Sequence, residues 1–180
     1  MKFRKLHTLN ILHCLPELYD KMILEKKLYE TLSLITALLK DTTHPWAFTG
    51  SVGISLQGVD LEIGDIDIQT DQAGAYQIQD RLSQYLITPV RWLASPNIQS
   101  HFGTFRINEI DVEVMGDMKK KLENGSYIAA PDLNQVIQYI QHKDVKYPVL
   151  ALAYELEAYR ILGRDATVQK IETFLKQKGS

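Results

Sequence analysis

The chain has 180 residues and 45% of them are hydrophobic, so it is long enough for one folded domain, residues 1–180, with a substantial core. Its formal net charge is −2 and its basic residues form no extended tract, which argues against a large nucleic-acid interface. No apolar run approaches the ~18 residues of a membrane span, and a single cysteine, Cys14, excludes an internal disulfide, so we expect a cytoplasmic protein with no membrane partner.

The N-terminal segment, residues 1–41, is predicted to be helical. Apolar residues recur at helical spacing from about Leu15 to Lys40, and a polar stretch then stops the pattern. Residues 46–49 suit a short strand, and residues 51–57 suit one or two helical turns. The pattern therefore places a long helix before the first strand of a sheet.

The central segment, residues 46–116, is predicted to form the core sheet. After the first strand it contains a second strand, an amphipathic helix, a third strand and a hairpin, at residues 65–70, 73–86, 89–94, and 102–107 with 110–115. The hairpin turn is predicted at Asn108-Glu109, although no glycine is present.

The C-terminal segment, residues 132–180, is predicted to be helical. Helices are expected over residues 149–162, with Gly163 as the C-cap, and over residues 166–176. The predicted fold class is therefore α+β: a mixed β-sheet flanked by helices, with helical N- and C-terminal segments.

Two aspartates, one residue apart on the second predicted strand, are the most informative feature of the sequence. Side chains alternate between the faces of a strand, so Asp65 and Asp67 point the same way while Ile66 and Ile68 point into the core. Adjacent carboxylates repel each other unless a cation lies between them, and hard oxygen ligands favour Mg²⁺. The pattern predicts a metal site; the alternative is a solvated edge strand, although Asp is depleted in strands.

A small, flexible pair, Gly50-Ser51, ends the first predicted strand. Backbone N–H groups and a hydroxyl in this place would form an anion site suited to phosphate. Gly-Ser pairs by themselves mostly mark turns, so the interpretation depends on their position upstream of the two aspartates. A metal site beside a phosphate site indicates nucleotide chemistry.

These residues resemble the signature of the polymerase-β-type nucleotidyltransferase superfamily. That signature is an apolar residue, Gly-Ser, a gap, Asp-x-Asp between apolar residues, and a third acidic residue on a later strand. In this chain the gap, residues 52–64, is at the long end of the family's range, and Glu113 matches the third acidic residue. Residues 46–116 are most similar to the small antibiotic-type and uncharacterised members, which implies a nucleotidyltransferase-like sheet.

The resemblance implies a Mg²⁺-dependent enzyme that moves a nucleoside monophosphate from an NTP, such as ATP, to a hydroxyl of a small-molecule or protein acceptor and releases pyrophosphate. It assigns catalysis and metal binding to Asp65, Asp67 and Glu113, with one or two Mg²⁺ ions, and nucleotide binding to Gly50 and Ser51. Two alternatives remain open. One is a non-catalytic nucleotide-binding or regulatory module of the same fold, such as a toxin–antitoxin-like partner; the other is an interaction domain with incidental acids.

The identity of the third carboxylate has an alternative within the same strand. Asp111 and Glu113 lie two residues apart and therefore share a strand face. The resemblance favours Glu113, which would leave Asp111 as a residue at the rim of the site.

Several basic residues of the central segment have both a functional and a structural interpretation. Arg91 and Arg106 could reach a triphosphate, or could form salt bridges on the strand surface. His101 could touch the nucleotide or the acceptor, although a lone histidine is more often structural. The basic run at residues 119–121 is predicted to be a solvated helix end.

One pair on the penultimate helix also has two interpretations. Glu155 and Tyr159 lie four residues apart and so share a helix face. In similar antibiotic-modifying enzymes the C-terminal helices help bind the acceptor, whereas ordinary helix packing is the structural alternative.

Overall fold

The structure, a computed structural model, describes the backbone of residues 11–178 and the side chains of residues 22–178. The side chain of Cys14 therefore lies outside the described residues. The helices are α1 (Ile11–Leu39), α2 (Gly50–Leu56), α3 (Gln72–Arg81), α4 (Leu152–Ile161) and α5 (Asp165–Lys178). The strands are β1 (Trp46–Thr49), β2 (Ile66–Thr70), β3 (Leu86–Ala94), β4 (Ile98–Ile107), β5 (Ile110–Lys121), β6 (Tyr127–Ile128), β7 (Ile137–His142) and β8 (Val145–Leu150).

The eight strands form one mixed sheet, which confirms the predicted α+β class. Seven of them lie in the order β3-β4-β5-β2-β1-β8-β7, and β6 pairs with β5. The β2–β5 and β1–β8 pairs are parallel, and the other pairs are antiparallel. The predicted helical segments at both ends of the chain are present as α1 and as α4 with α5.

The hydrophobic core lies on one face of the central strands. Ile66 and Ile68 are fully buried there, as the alternation of β2 predicted, against Leu32 and Ile35 of α1 and Ile78 of α3. Helices α1 and α3 therefore cover this face, and the opposite face of β2 and β5 is left for polar side chains.

The β4–β5 turn confirms the prediction at Asn108-Glu109. Ile107 pairs with Ile110, so the turn has two residues, and both have positive φ, at 49° and 62°. A two-residue turn with positive φ at both positions matches the right-handed twist of antiparallel strands, and asparagine is among the residues that tolerate it.

The C-terminal segment differs from the prediction over residues 137–150. These residues form the β7–β8 hairpin, and α4 begins at Leu152 instead of residue 149. The buried run from Tyr147 to Leu150 has no polar position by which its period could be recognised, so a strand and a helix are equally compatible with it. These residues adopt the strand conformation because β8 pairs with β1.

The basic run at residues 119–121 is also placed differently, because it belongs to the end of β5 and not to a helix. The β4–β5 ladder shifts register near Asp117, which has φ 51°. An extra residue of this kind reverses which side chains face which side of the sheet. Glu113 and Met115 precede the shift, and Met118 and Lys120 follow it, yet all four line the same cleft.

Among the described residues, no helix has both the length and the apolar character that crossing a membrane would need.

Candidate active site

Parallel pairing of β2 with β5 brings the acidic residues together. The ladder sets Asp67 opposite Glu113 and Ile66 opposite Val112, and Asp65 directly precedes β2. Because side chains alternate across a strand, the three carboxylates share one face while Ile66 and Val112 point into the core. One carboxylate oxygen from each of the three acids lies within 4.8 Å of the others.

The carboxylates line a cleft of about 350 Å³ that is bounded by the sheet and by α4. Other residues of this cleft that bear on its chemistry are Gly50, Ser51, Gln69, Lys120, Glu155 and Arg164. A volume of this order suits a small molecule.

The electrostatics of the three acids fit a hard divalent cation. Burial, followed by the charges of Asp65 and Glu113, raises the pKa of Asp67 from 3.8 to about 7. Burial and the charge of Asp65 also raise the pKa of Glu113. Within residues 22–178, no lysine or arginine forms a salt bridge with these side chains, so their repulsion is not relieved by an ion pair. An all-oxygen donor set with unrelieved repulsion is suited to Mg²⁺.

Asp111 does not belong to this group. It is exposed and forms an ion pair with Arg106, which faces it across the β4–β5 hairpin. The β2–β5 ladder begins at Val112, so Asp111 lies just outside that ladder, although it still pairs with Arg106 of β4. The structure therefore brings Glu113, and not Asp111, to the two aspartates.

Three other residues named from the sequence do not line the cleft. Arg106 is engaged by Asp111, and Arg91 is exposed on β3. His101 lies 3.1 Å from the Tyr76 hydroxyl through Nδ1, and its ring packs edge-on against another aromatic side chain. These contacts favour the structural interpretation for Arg106 and His101, and Arg91 simply lies outside the cleft lining.

The Gly50-Ser51 corner differs in one respect from the expected phosphate site. The Gly50 N–H already donates to Glu155 Oε1 at 3.1 Å, so this amide is not free to bind phosphate. Ser51 lines the cleft, and in the described part of the chain its hydroxyl forms no hydrogen bond. The phosphate prediction therefore depends on Ser51.

The lack of a side chain at Gly50 leaves room for the Asp67 carboxylate. Gly50 has φ +64°, and a Cβ atom built on it would lie 2.2 Å from Asp67 Oδ2. A side chain here would be strained and would also push against the carboxylate. Gly50 thus allows Asp67 to lie against the backbone of the β1–α2 corner.

We expect Gly50→Ala to lower the free energy of unfolding by about 1–3 kcal/mol and to weaken metal binding, because the new Cβ displaces Asp67. Urea denaturation and Mg²⁺ titration by calorimetry measure the two effects. The matched control is Gly163→Ala, since Gly163 has φ +66° but a Cβ added there would meet no atom within 4 Å. This control should show the backbone strain alone and keep wild-type metal affinity; equal metal affinity in both variants would contradict the role assigned to Gly50.

Glu155, for which the sequence left a functional and a packing interpretation open, lines the cleft and is also buried. It is 2% exposed, and Oε1 also accepts a hydrogen bond of 2.6 Å from the Thr49 hydroxyl. Burial raises its pKa to about 7, although the bonds from Thr49 and Gly50 lower it. Glu155 and Tyr159 share the buried face of α4, as their spacing predicted. A carboxylate on a buried helix face is costly, so its presence there was the sequence signal that could have indicated a role in the site.

Comparison with known proteins gives the family. The model of the aminoglycoside-2''-adenylyltransferase family matches residues 31–174. TM1012 of Thermotoga maritima, a candidate nucleotidyltransferase, shares 39% identity and a TM-score of 0.73 over 84% of this chain and 94% of its own. No curated protein matches the chain significantly.

Two more distant structures are also similar in part, but neither contributes to the assignment. LnuA, a lincosamide antibiotic adenylyltransferase bound to lincomycin, is 17% identical with a TM-score of 0.47 over 74% of this chain and 84% of its own. JHP933 of Helicobacter pylori is 13% identical with a TM-score of 0.38 over 74% of this chain and 56% of its own. The family match and the Thermotoga relative each cover most of the chain, and this protein therefore belongs to the aminoglycoside-2''-adenylyltransferase family, within the nucleotidyltransferases of the polymerase-β-type superfamily.

Proposed function

We propose that this protein transfers a nucleoside monophosphate from an NTP, with ATP the first choice, to a hydroxyl group of an acceptor and releases pyrophosphate. The observation that carries the proposal is the convergence of the Asp65, Asp67 and Glu113 carboxylates in one cleft beside Ser51. Family membership supports nucleotidyl transfer. Because the family's description names an adenylyltransferase, it also supports ATP as the nucleotide substrate. We also propose a cytoplasmic location, where both ATP and Mg²⁺ are available.

The metal ligands would be the three carboxylates. Asp65 and Asp67 would hold one Mg²⁺, and Glu113 would join them if a second ion is held. When bound, Mg²⁺ supplies charge neutralisation for the triphosphate and lowers the pKa of a hydroxyl placed next to it.

The triphosphate would be bound on the β1 side of the cleft. The Ser51 hydroxyl has no partner in the described residues and lies in the cleft lining. Arg164 also lines the cleft, and its guanidinium lies 5.4 Å from the Tyr159 ring centroid and lowers the pKa of Asp67. We therefore propose Arg164, instead of Arg91 or Arg106, as the cation that contacts the phosphates.

The chemical step would use Glu113 as the proton acceptor. The oxygen of the acceptor hydroxyl forms a bond to the α-phosphorus, the bond from that phosphorus to the pyrophosphate oxygen breaks, and the hydroxyl proton passes to the Glu113 carboxylate. A raised pKa makes Glu113 a better base than an ordinary exposed glutamate.

The proposal is tested by calorimetric titration with ATP in the presence and absence of Mg²⁺, followed by an assay for pyrophosphate. An enzyme of the proposed type should bind ATP only with the metal and should release pyrophosphate. Binding without turnover would favour the regulatory module instead, and no binding at all would contradict both.

Ser51→Ala should weaken binding of Mg·ATP about tenfold, the effect of losing one hydrogen bond to a charged group, ~1.4 kcal/mol. Ser83→Ala is the matched control, because Ser83 is exposed and lies outside the cleft lining. Calorimetry at fixed Mg²⁺ measures both affinities. If the two variants bind Mg·ATP equally well, the triphosphate lies elsewhere.

A further inference from the structure

The inner end of the cleft contains a polar group that the proposed reaction does not use. Gln69 follows Asp67 by two positions and so lies on the same face of β2. Lys120 reaches the cleft from the far end of β5, past the register shift at Asp117, and Tyr154 approaches from α4. We call Gln69, Lys120 and Tyr154 the inner pocket.

Lys120 is a buried cation that forms no salt bridge with any described residue. Its side chain is 4% exposed, Nζ donates to the Tyr154 hydroxyl at 2.8 Å, and Nζ lies 5.0 Å from the centroid of that ring. No carboxylate of the described residues lies within salt-bridge distance of Nζ, and Glu155, which it influences, already accepts bonds from Thr49 and Gly50. A buried ammonium in this state is costly unless an anion joins it.

Gln69 adds an unsatisfied acceptor beside this cation. It is fully buried, and Nε2 donates to the Tyr154 hydroxyl at 3.4 Å, while Oε1 has no hydrogen-bond partner among the described residues. The Tyr154 hydroxyl accepts from both neighbours, so its own proton remains available to a ligand. The pocket thus offers two donors, Lys120 and Tyr154, next to one acceptor, Gln69 Oε1.

The strand register places the inner pocket on the acceptor side of the site. Thr49, at the end of β1 that leads into Ser51, pairs with Asp67, whereas Gln69 lies two positions farther along β2 and Lys120 lies at the far end of β5. The proposed triphosphate and the inner pocket therefore lie toward opposite ends of the strands, and Glu113, the proposed base, lies on the same strand as Lys120. Between Glu113 and Lys120 the wall is apolar, formed by Met115 and Met118.

We propose that the inner pocket binds the acceptor through a carboxylate that has an N–H or O–H donor beside it, and that the acceptor is a small hydroxyl compound with an apolar body. This inference rests on the proposed function and adds the substrate class. The carboxylate meets Lys120 and Tyr154, the neighbouring donor meets Gln69 Oε1, and the apolar body lies against Met115 and Met118. An ammonium group in the inner pocket is disfavoured, because it would face Lys120, so a polycation should not bind there.

The probe for this proposal is N-benzoyl-L-threonine, which carries a carboxylate, an adjacent amide N–H, an apolar ring and a hydroxyl. The protein is labelled with ¹³C-methyl methionine and saturated with Mg²⁺ and a non-hydrolysable ATP analogue, and the Met115 and Met118 methyl signals are followed. The acid should bind about tenfold more tightly than its methyl ester, which lacks the charge. The polycation kanamycin should shift these signals least.

Lys120→Met should abolish the preference for acid over ester, and Gln69→Leu should weaken binding of the acid. The matched control is Lys119→Met, since Lys119 points away from the cleft toward the Trp92 ring, and it should keep the preference. Lys120→Met should also raise the melting temperature of the ligand-free protein, because it removes a buried charge without leaving a large cavity.

Three results would overturn the inference: equal affinity for acid and ester, tighter binding of kanamycin, or no shift with any of the probes. Binding of the ATP analogue is recorded first in each sample. Failure of that step counts against the proposed function, whereas normal nucleotide binding without acid preference counts against the inner pocket alone.

Discussion

Asp67→Asn should abolish Mg²⁺-dependent ATP binding and at the same time stabilise the metal-free protein at neutral pH. Asp67 is one of the three proposed ligands, so its amide cannot supply the charge that the ion needs. In the absence of metal the same ionised carboxylate lowers the stability of the folded protein, because it is buried and is repelled by Asp65 and Glu113. Both effects raise the pKa of Asp67 to about 7.

The pH dependence of stability follows from the direction of that pKa shift. The folded state holds the Asp67 proton more tightly than the unfolded state, whose pKa is near 3.8. The stability contributed by this proton is fully present below about pH 4 and is lost as the pH rises through 7. The loss is on the order of 4 kcal/mol, and Asp67→Asn should remove it, while Glu155 keeps a decline of its own in the same pH range.

Thermal melts in EDTA at pH 5 and pH 8 measure this effect, and calorimetry measures the loss of Mg·ATP binding. In the wild-type protein, Mg²⁺ should raise the melting temperature more at pH 8 than at pH 5, because the ligands must be deprotonated. Asp60→Asn is the control, since Asp60 is exposed and lies outside the cleft. Unchanged metal affinity in Asp67→Asn would refute the assignment of the metal site.

Glu113→Gln should slow pyrophosphate release by ~10²–10⁴, the range for a lost general base, and should leave Mg·ATP affinity within a few-fold of wild type. Asp111→Asn should change the rate of pyrophosphate release and the Mg·ATP affinity only slightly, because Asp111 is exposed and paired with Arg106. The two variants lie on the same strand and remove the same charge, so each is the control for the other.

Single-turnover release of pyrophosphate from Mg·ATP, with water as the default acceptor, measures the chemical step. Titration with Mn²⁺, followed by water relaxation, counts the metal ions held by each variant. Loss of an ion in Asp111→Asn with no loss in Glu113→Gln would transfer the role of third carboxylate to Asp111, against the geometry of the β2–β5 ladder.

The sequence by itself determined the features that depend on neighbouring residues. The period of two around Ile66 and Ile68 predicted both the strand and the buried face of β2. The Asn108-Glu109 turn was predictable because two strand-like runs flank it and asparagine tolerates the positive φ of a two-residue turn. The nucleotidyltransferase resemblance followed from the Gly-Ser and Asp-x-Asp spacing, and the family match confirms it.

The tertiary structure alone decided everything that depends on which distant segments meet. The pairing of β2 with β5 brings the Glu113 carboxylate, and not that of Asp111, to both aspartates, a choice that the resemblance favoured but that strand alternation left open. The packing of α4 buries Glu155 on the Gly50 amide, a contact between residues 105 positions apart. The shift at Asp117 turns Lys120 into the cleft, because one extra residue reverses the alternation on which a sequence pattern depends.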